Sequence, residues 1–116
     1  MELGYVTWTR MSSEFQQILE TSRPRVARLC RDLDVDKLLL FGSATRETFD
    51  PAASDVDLVV DFRNHDAPGI ADRYFSLAEG LEQIFDRPVD LVTTSSIKNP
   101  YFRRIVEQTS RLIYAA

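Results

Sequence analysis

The sequence predicts a layered α/β or α+β domain in which helices pack on one small sheet. Short apolar runs of strand length alternate along the chain with longer stretches whose apolar residues recur at helical spacing. The chain has 116 residues, 44% apolar and 28% charged, enough for one modest core and therefore one domain, 1–116. No run approaches the length needed to cross a bilayer, and the N-terminus lacks a basic segment followed by an apolar one, so the expected location is cytoplasmic.

Met1 to Arg10 carries no periodicity. Residues 1–12 read as an extension, flexible or forming a local strand, with Met11 as an alternative start. Ser13-Glu-Phe-Gln16 has the form of a capping box and opens a short helix bearing Phe15, Ile18 and Leu19. Pro24 is expected to interrupt it, because proline removes an amide donor and disfavours helical geometry in the residue before it. A second helix then runs from Pro24 to Leu33, with Val26, Leu29, Cys30 and Leu33 on its apolar stripe. The lone Cys30 can make no internal disulfide and reads as a buried apolar residue.

Lys37 to Phe41 suits a buried strand, and Gly42-Ser43 ends it abruptly. The loop Thr48 to Ser54 is rich in turn formers, and Asp55 to Phe62 is the second strand. After the polar loop Arg63 to Gly69, the residues Ile70, Tyr74, Leu77, Leu81, Ile84 and Phe85 mark the longest amphipathic helix, Pro68 to Phe85. Gly80 lies inside it at a cost of about 1 kcal/mol relative to Ala, which packing should outweigh. Arg87 to Thr93 is the third strand. Asn99 as cap and Pro100 at the first helical position open a last helix carrying Tyr101, Phe102, Ile105 and Val106. Leu112 to Tyr114 reads as a short closing strand. Pattern alone does not give the strand order.

The chemistry is concentrated between Leu38 and Val60. An apolar strand ends in Gly42-Ser43, where the absent Cβ of Gly42 lets the backbone approach a phosphate and Ser43 adds a hydroxyl and an amide. Asp55 and Asp57 follow, and because side chains alternate along a strand they project from one face, about 7 Å apart. Two acids so placed repel each other unless something positive sits between them, and a divalent metal is the natural candidate.

Gly42-Ser43 followed by Asp55-x-Asp57 resembles the signature of the DNA polymerase β-like nucleotidyltransferases, and the short chain is similar to their minimal nucleotidyltransferase (MNT) branch. The resemblance extends from about Arg25 to Tyr114. Asp90, in Arg87-Pro-Val-Asp-Leu-Val92, falls where that family places a third carboxylate. Two departures stand out: the eleven residues from Ala44 to Ser54 are one more than is usual there, and Glu47 replaces the Gly that often follows the matching Arg46.

What the resemblance implies is a mixed sheet of the polymerase β-like nucleotidyltransferase fold, with Asp55 and Asp57 next to the strand of Asp90. Asp55, Asp57 and Asp90 would be the catalytic and metal-binding residues, holding two Mg²⁺ ions, and Gly42, Ser43 and Arg46 would bind the triphosphate of ATP. Asp90 is the candidate for receiving a hydroxyl proton. The MNT branch further implies an antitoxin that transfers AMP from ATP to a tyrosine of a HEPN-type ribonuclease toxin. The alternatives are a non-catalytic module that neutralises its partner by occlusion, or transfer to RNA or a small molecule.

The remaining polar residues have plainer readings. Net charge is −4, which disfavours binding to long nucleic acid through a broad basic surface. Acids collect between Asp32 and Asp90, whereas Lys98, Arg103, Arg104 and Arg111 lie near the C-terminus. Lys98, Arg103 and Arg104 read as the exposed face of the last helix or as partners for the acidic middle. A minority reading makes them a docking surface for an acidic partner or an RNA end. Asp61 shares the face of Asp55 and Asp57 and is a minor alternative ligand. His65 reads as a solvated loop residue, and Tyr101, Phe102 and Tyr114 as core, although an exposed one could stack on a base.

Overall fold

The computed structural model describes residues 13–41 and 55–116. Gly42, Ser43 and Arg46, with the extension 1–12, lie outside the described residues.

One helix, α1 (Ser13–Asp32), replaces the two expected on either side of Pro24. Phe15, Leu19, Ser22, Val26 and Cys30 form a single buried stripe that runs past the proline, which sits exposed on the opposite side. Burying each of the large apolar groups contributes about 1.5–3 kcal/mol, together more than the roughly 3 kcal/mol a proline costs a helix interior. The chain turns at Asp34, whose φ of 55° lies in the left-handed region.

Strand β1 (Val35–Phe41) begins two residues earlier than the apolar run, because Val35 faces the core across a register shift between Val35 and Lys37. β2 (Val56–Phe62) pairs with it antiparallel. Helix α2 (Ile70–Phe85) starts just after Gly69, whose φ of 88° is easily reached only without a Cβ. β3 (Val89–Thr93) returns parallel to β2 and leads through a 3₁₀ turn at Thr94–Ser96. Helix α3 (Pro100–Thr109) opens as expected, the Asn99 side chain accepting hydrogen bonds from the amides of Tyr101 and Phe102. The closing strand is present as β4 (Arg111–Ala115), antiparallel to β1. The sheet order is β3-β2-β1-β4, a mixed sheet as the resemblance implied.

The two faces of the sheet differ. Helices α1 and α2 cover one of them, enclosing a core that includes Phe15, Cys30, Leu38, Leu40, Val56, Leu58, Leu77, Leu81 and Phe85. Gly80 lies where the two helices approach: a Cβ on it would stand 2.6 Å from Leu29 Cδ2, so the Leu29 side chain would have to shift to admit one. The opposite face is only partly covered. Val59, Ile97 and Val106 form a small second cluster with Leu39, Phe41 and Val92, and α3 rides on it.

Tyr101 and Phe102 are not core. They are 71% and 42% exposed, because only Val106 of α3 is turned into the second cluster. Tyr114 is half-buried against the main core, and Cys30 is fully buried there. His65 is exposed, 3.4 Å from the Asp66 carboxylate.

One structural residue gives no signal in the sequence. Arg73 donates to the carbonyls of Leu33, Asp34 and Arg63 at 3.0, 2.9 and 2.7 Å, and lies 4.8 Å over the Phe62 ring. It thereby ties the α1–β1 and β2–α2 connections together. No helix among the described residues is long and apolar enough to cross a membrane.

Candidate active site

Sheet register decides which acids meet. In β2 the residues Val56, Leu58 and Val60 are turned to the main core, so Asp57, Val59 and Asp61 share the open face. In β3 the same alternation leaves Asp90 exposed between Val89 and Leu91. The parallel pairing of β2 with β3 sets Asp57 opposite Asp90, and the antiparallel pairing of β1 with β2 sets Phe41 opposite Asp57. Neighbouring strands lie about 4.8 Å apart, so the two carboxylates project side by side from adjacent backbones. Asp55 is exposed and sits one residue before β2 begins.

The electrostatics follow from that placement. The Asp57 carboxyl is held above the ordinary carboxylate range, first by its partial burial and then by the negative charges of Asp90 and Asp55. Asp55 and Asp90 are therefore both within electrostatic reach of Asp57. A cation beside Asp57 would remove both the repulsion and much of the desolvation cost.

Backbone contacts brace this end of the sheet. The Val56 amide donates to the Pro88 carbonyl at 3.1 Å, and the Val89 amide donates to Glu82 Oε2 at 3.1 Å. The Tyr74 hydroxyl of α2 donates to the Leu91 carbonyl, one residue from Asp90. Tyr74 was legible in the sequence only as part of the apolar stripe. Its hydroxyl role has no pattern of its own.

Asp61 is on the expected face but is separated from Asp57 by the buried Val59, and its Oδ1 accepts from the Thr94 hydroxyl at 3.2 Å. It lines a separate groove of about 520 Å³ with Lys37, Leu39, Arg103, Glu107 and Leu112. Arg103 donates to the Thr94 carbonyl at 3.0 Å. Among the described residues, Lys98, Arg103 and Arg104 make no ion pair with the acidic middle of the chain.

The donor set suits a hard divalent cation, with one qualification on how it would be held. Among the described residues no group of three or more His, Cys, Asp or Glu side chains is gathered into a metal cage. Mg²⁺ seldom requires one: it binds through one or two carboxylates and fills its octahedron with water and substrate phosphate oxygens. Two adjacent carboxylates and a third nearby, on an open face, fit that mode.

Comparison with known proteins identifies the family and the fold. Residues 24–113 match the model of the family described as nucleotidyltransferase domain. A curated relative from Methanocaldococcus jannaschii, named "Putative protein adenylyltransferase MJ1379", is 35% identical over 103 residues, covering 88% of this chain and 95% of that one. MJ0128 of the same organism, which bears the same description, is 34% identical over 80 residues, 69% of this chain and 76% of its own. Among solved structures, a chain of a toxin–antitoxin complex with AMP-PNP superimposes with a TM-score of 0.61 at 23% identity, covering 81% of this chain and 73% of that one. A chain of the tri-AMPylated Shewanella oneidensis HEPN toxin in complex with MNT antitoxin gives 0.57 at 21% identity, covering 84% and 73%. At these identities the structural likeness speaks for the fold.

Proposed function

The chain belongs to the nucleotidyltransferase domain family, and on that footing we propose that it transfers AMP from ATP to a hydroxyl of a partner protein, a HEPN-type toxin for which it is the antitoxin. The observation that carries the proposal is the pairing of Asp57 with Asp90 across β2 and β3 on the open face of the sheet, with Asp55 in electrostatic reach. The curated relatives named as protein adenylyltransferases support the reaction, and the toxin–antitoxin neighbours support the partner.

In this reading Asp55, Asp57 and Asp90 would hold Mg²⁺, two ions on the family pattern. When bound, the metal supplies positive charge for the triphosphate and lowers the pKa of the attacking hydroxyl. Gly42, Ser43 and Arg46, outside the described residues, are assigned to the phosphates on the resemblance alone. The acceptor oxygen attacks the α-phosphorus in line, the bond to the bridging oxygen of the β-phosphate breaks, and pyrophosphate leaves. Asp90, exposed beside Asp57, receives the hydroxyl proton. Asp57, the most enclosed of the three acids, is assigned to the metal, whose positive charge would favour its ionised form.

The test is transfer itself. ATP labelled at the α-phosphate is incubated with Mg²⁺, the purified chain and its HEPN-type partner. Label should appear on the partner and disappear with Asp57→Ala. A partner that is inhibited but remains unlabelled would contradict transfer and favour occlusion.

A further inference from the structure

Helix α3 divides the open face of the sheet, and its two flanks differ in chemistry. It crosses above the row formed by Leu39, Val59 and Val92, with Val106 beneath it. Arg103, Val106, Glu107 and Ser110 line the groove that also contains Lys37 and Asp61. At 3.6 residues per turn, Phe102 and Ile105 lie on the other side of Val106. That flank is therefore turned toward the end of the face where Phe41, Asp57 and Asp90 stand in one row. Asn99 caps the helix, so its first turn, with Tyr101 and Phe102, is fixed in orientation.

Tyr101, Phe102 and Ile105 are 71%, 42% and 40% exposed and are three of the five large apolar side chains exposed among the described residues. Scattered singly, such residues need no explanation; gathered on consecutive turns of one helix beside an acidic site, they do. Lys98 and Arg104, both exposed, border them, although the chain as a whole has a net charge of −4. An apolar centre with a basic rim matches the anatomy of a protein interface whose partner is apolar with an acidic rim. A nucleobase would occupy one aromatic side chain, not two turns of helix.

We infer that the Tyr101–Phe102–Ile105 flank of α3, with Lys98 and Arg104 at its border, docks the acceptor protein and brings its hydroxyl to Asp57 and Asp90. The occupant is the partner protein of the proposed reaction, presenting apolar side chains with acidic residues around them. This inference rests on the transfer reading for the identity of the partner, but docking is measured without nucleotide and so fails separately.

The experiment is calorimetric binding of the recombinant HEPN-type partner to the intact chain, to a Tyr101→Ser/Ile105→Ser variant and to Arg104→Glu, each also titrated with Mg-ATP and assayed for label transfer. Both variants alter exposed positions, and unchanged thermal midpoints show that they fold. Docking predicts at least a tenfold loss of partner affinity in each variant with ATP affinity retained. Equal partner affinity would overturn docking and leave the transfer reading standing if label still moves. Loss of ATP affinity in step with partner affinity would also overturn it, since the flank would then belong to the nucleotide. Binding of an unlabelled partner that the variants abolish would support docking and contradict transfer. No binding by the intact chain would contradict both.

Discussion

Asp57 and Asp90 are register partners on parallel neighbouring strands, so two carboxylates that are 33 positions apart in sequence stand side by side on the open face of the sheet. The Asp57 carboxyl is raised by burial and by its neighbours' charge, which fixes the sign of a pH effect. A raised carboxyl binds protons more tightly in the folded state, so its contribution to stability is fully present below the ordinary carboxylate range. It is lost as pH rises through the folded value. Without divalent ions, Asp57→Asn should therefore raise the thermal midpoint at pH 7, and the gain should vanish as the pH falls below about 4. Thermal denaturation across pH checks this, and an equal or lower midpoint at pH 7 would contradict it.

Tyr74 holds the strand that carries Asp90, through its bond to the Leu91 carbonyl. Tyr74→Phe removes the hydroxyl while keeping the ring packed, and should cost about 1 kcal/mol in denaturant unfolding. Because Leu91 adjoins Asp90, the label-transfer rate should fall more than the stability loss accounts for, with ATP affinity little changed. An unaltered transfer rate would restrict Tyr74 to a structural part.

Arg73 reinforces the junction of two connections that are also joined by the Arg63 amide donating to the Asp34 carbonyl at 2.9 Å. Arg73→Leu leaves the carbonyls of Leu33, Asp34 and Arg63 without this donor, and about 2 kcal/mol of stability should be lost. Arg73→Lys should recover only part of it, since an ammonium cannot span several carbonyls and cover the Phe62 ring as a planar guanidinium does. Chemical denaturation of the two variants measures both effects.

Burial pushes the Cys30 thiol up to about 12. The thiolate is thus nearly absent at pH 8, and alkylation of the native protein should proceed no faster than unfolding exposes the side chain. Above pH 9 the unfolded thiol ionises first, so stability should decline from there toward pH 12. Rapid labelling under native conditions would contradict the burial.

Much of this architecture was legible because it depends on local rules. The Asn99 cap, the stripe from Ile70 to Phe85 and the alternation around Asp57 each follow from residue type and spacing, and each is present. Pro24 misled because the local penalty is outweighed by a buried stripe whose partners, across α2 and the sheet, are distant in sequence. Tyr101 and Phe102 misled in the opposite direction: a short helix on a partly covered face has room to bury only Val106, and apolar type alone does not tell core from interface. The pairing of Asp57 with Asp90 could be anticipated from family likeness, but its register is a property of the sheet. Nothing in the spacing of Arg73 signals its several carbonyl partners, because they lie in two connections up to 40 residues away.

The central claim is that Asp57 and Asp90 jointly hold the divalent cation on which transfer depends. Crystals grown with Mn²⁺ and a non-hydrolysable ATP analogue, with data collected at the manganese absorption edge, test it directly. An anomalous peak in contact with carboxylate oxygens of both residues is the predicted result. A fully occupied peak that touches neither, or an unchanged peak in the Asp57→Asn/Asp90→Asn double variant, would contradict it.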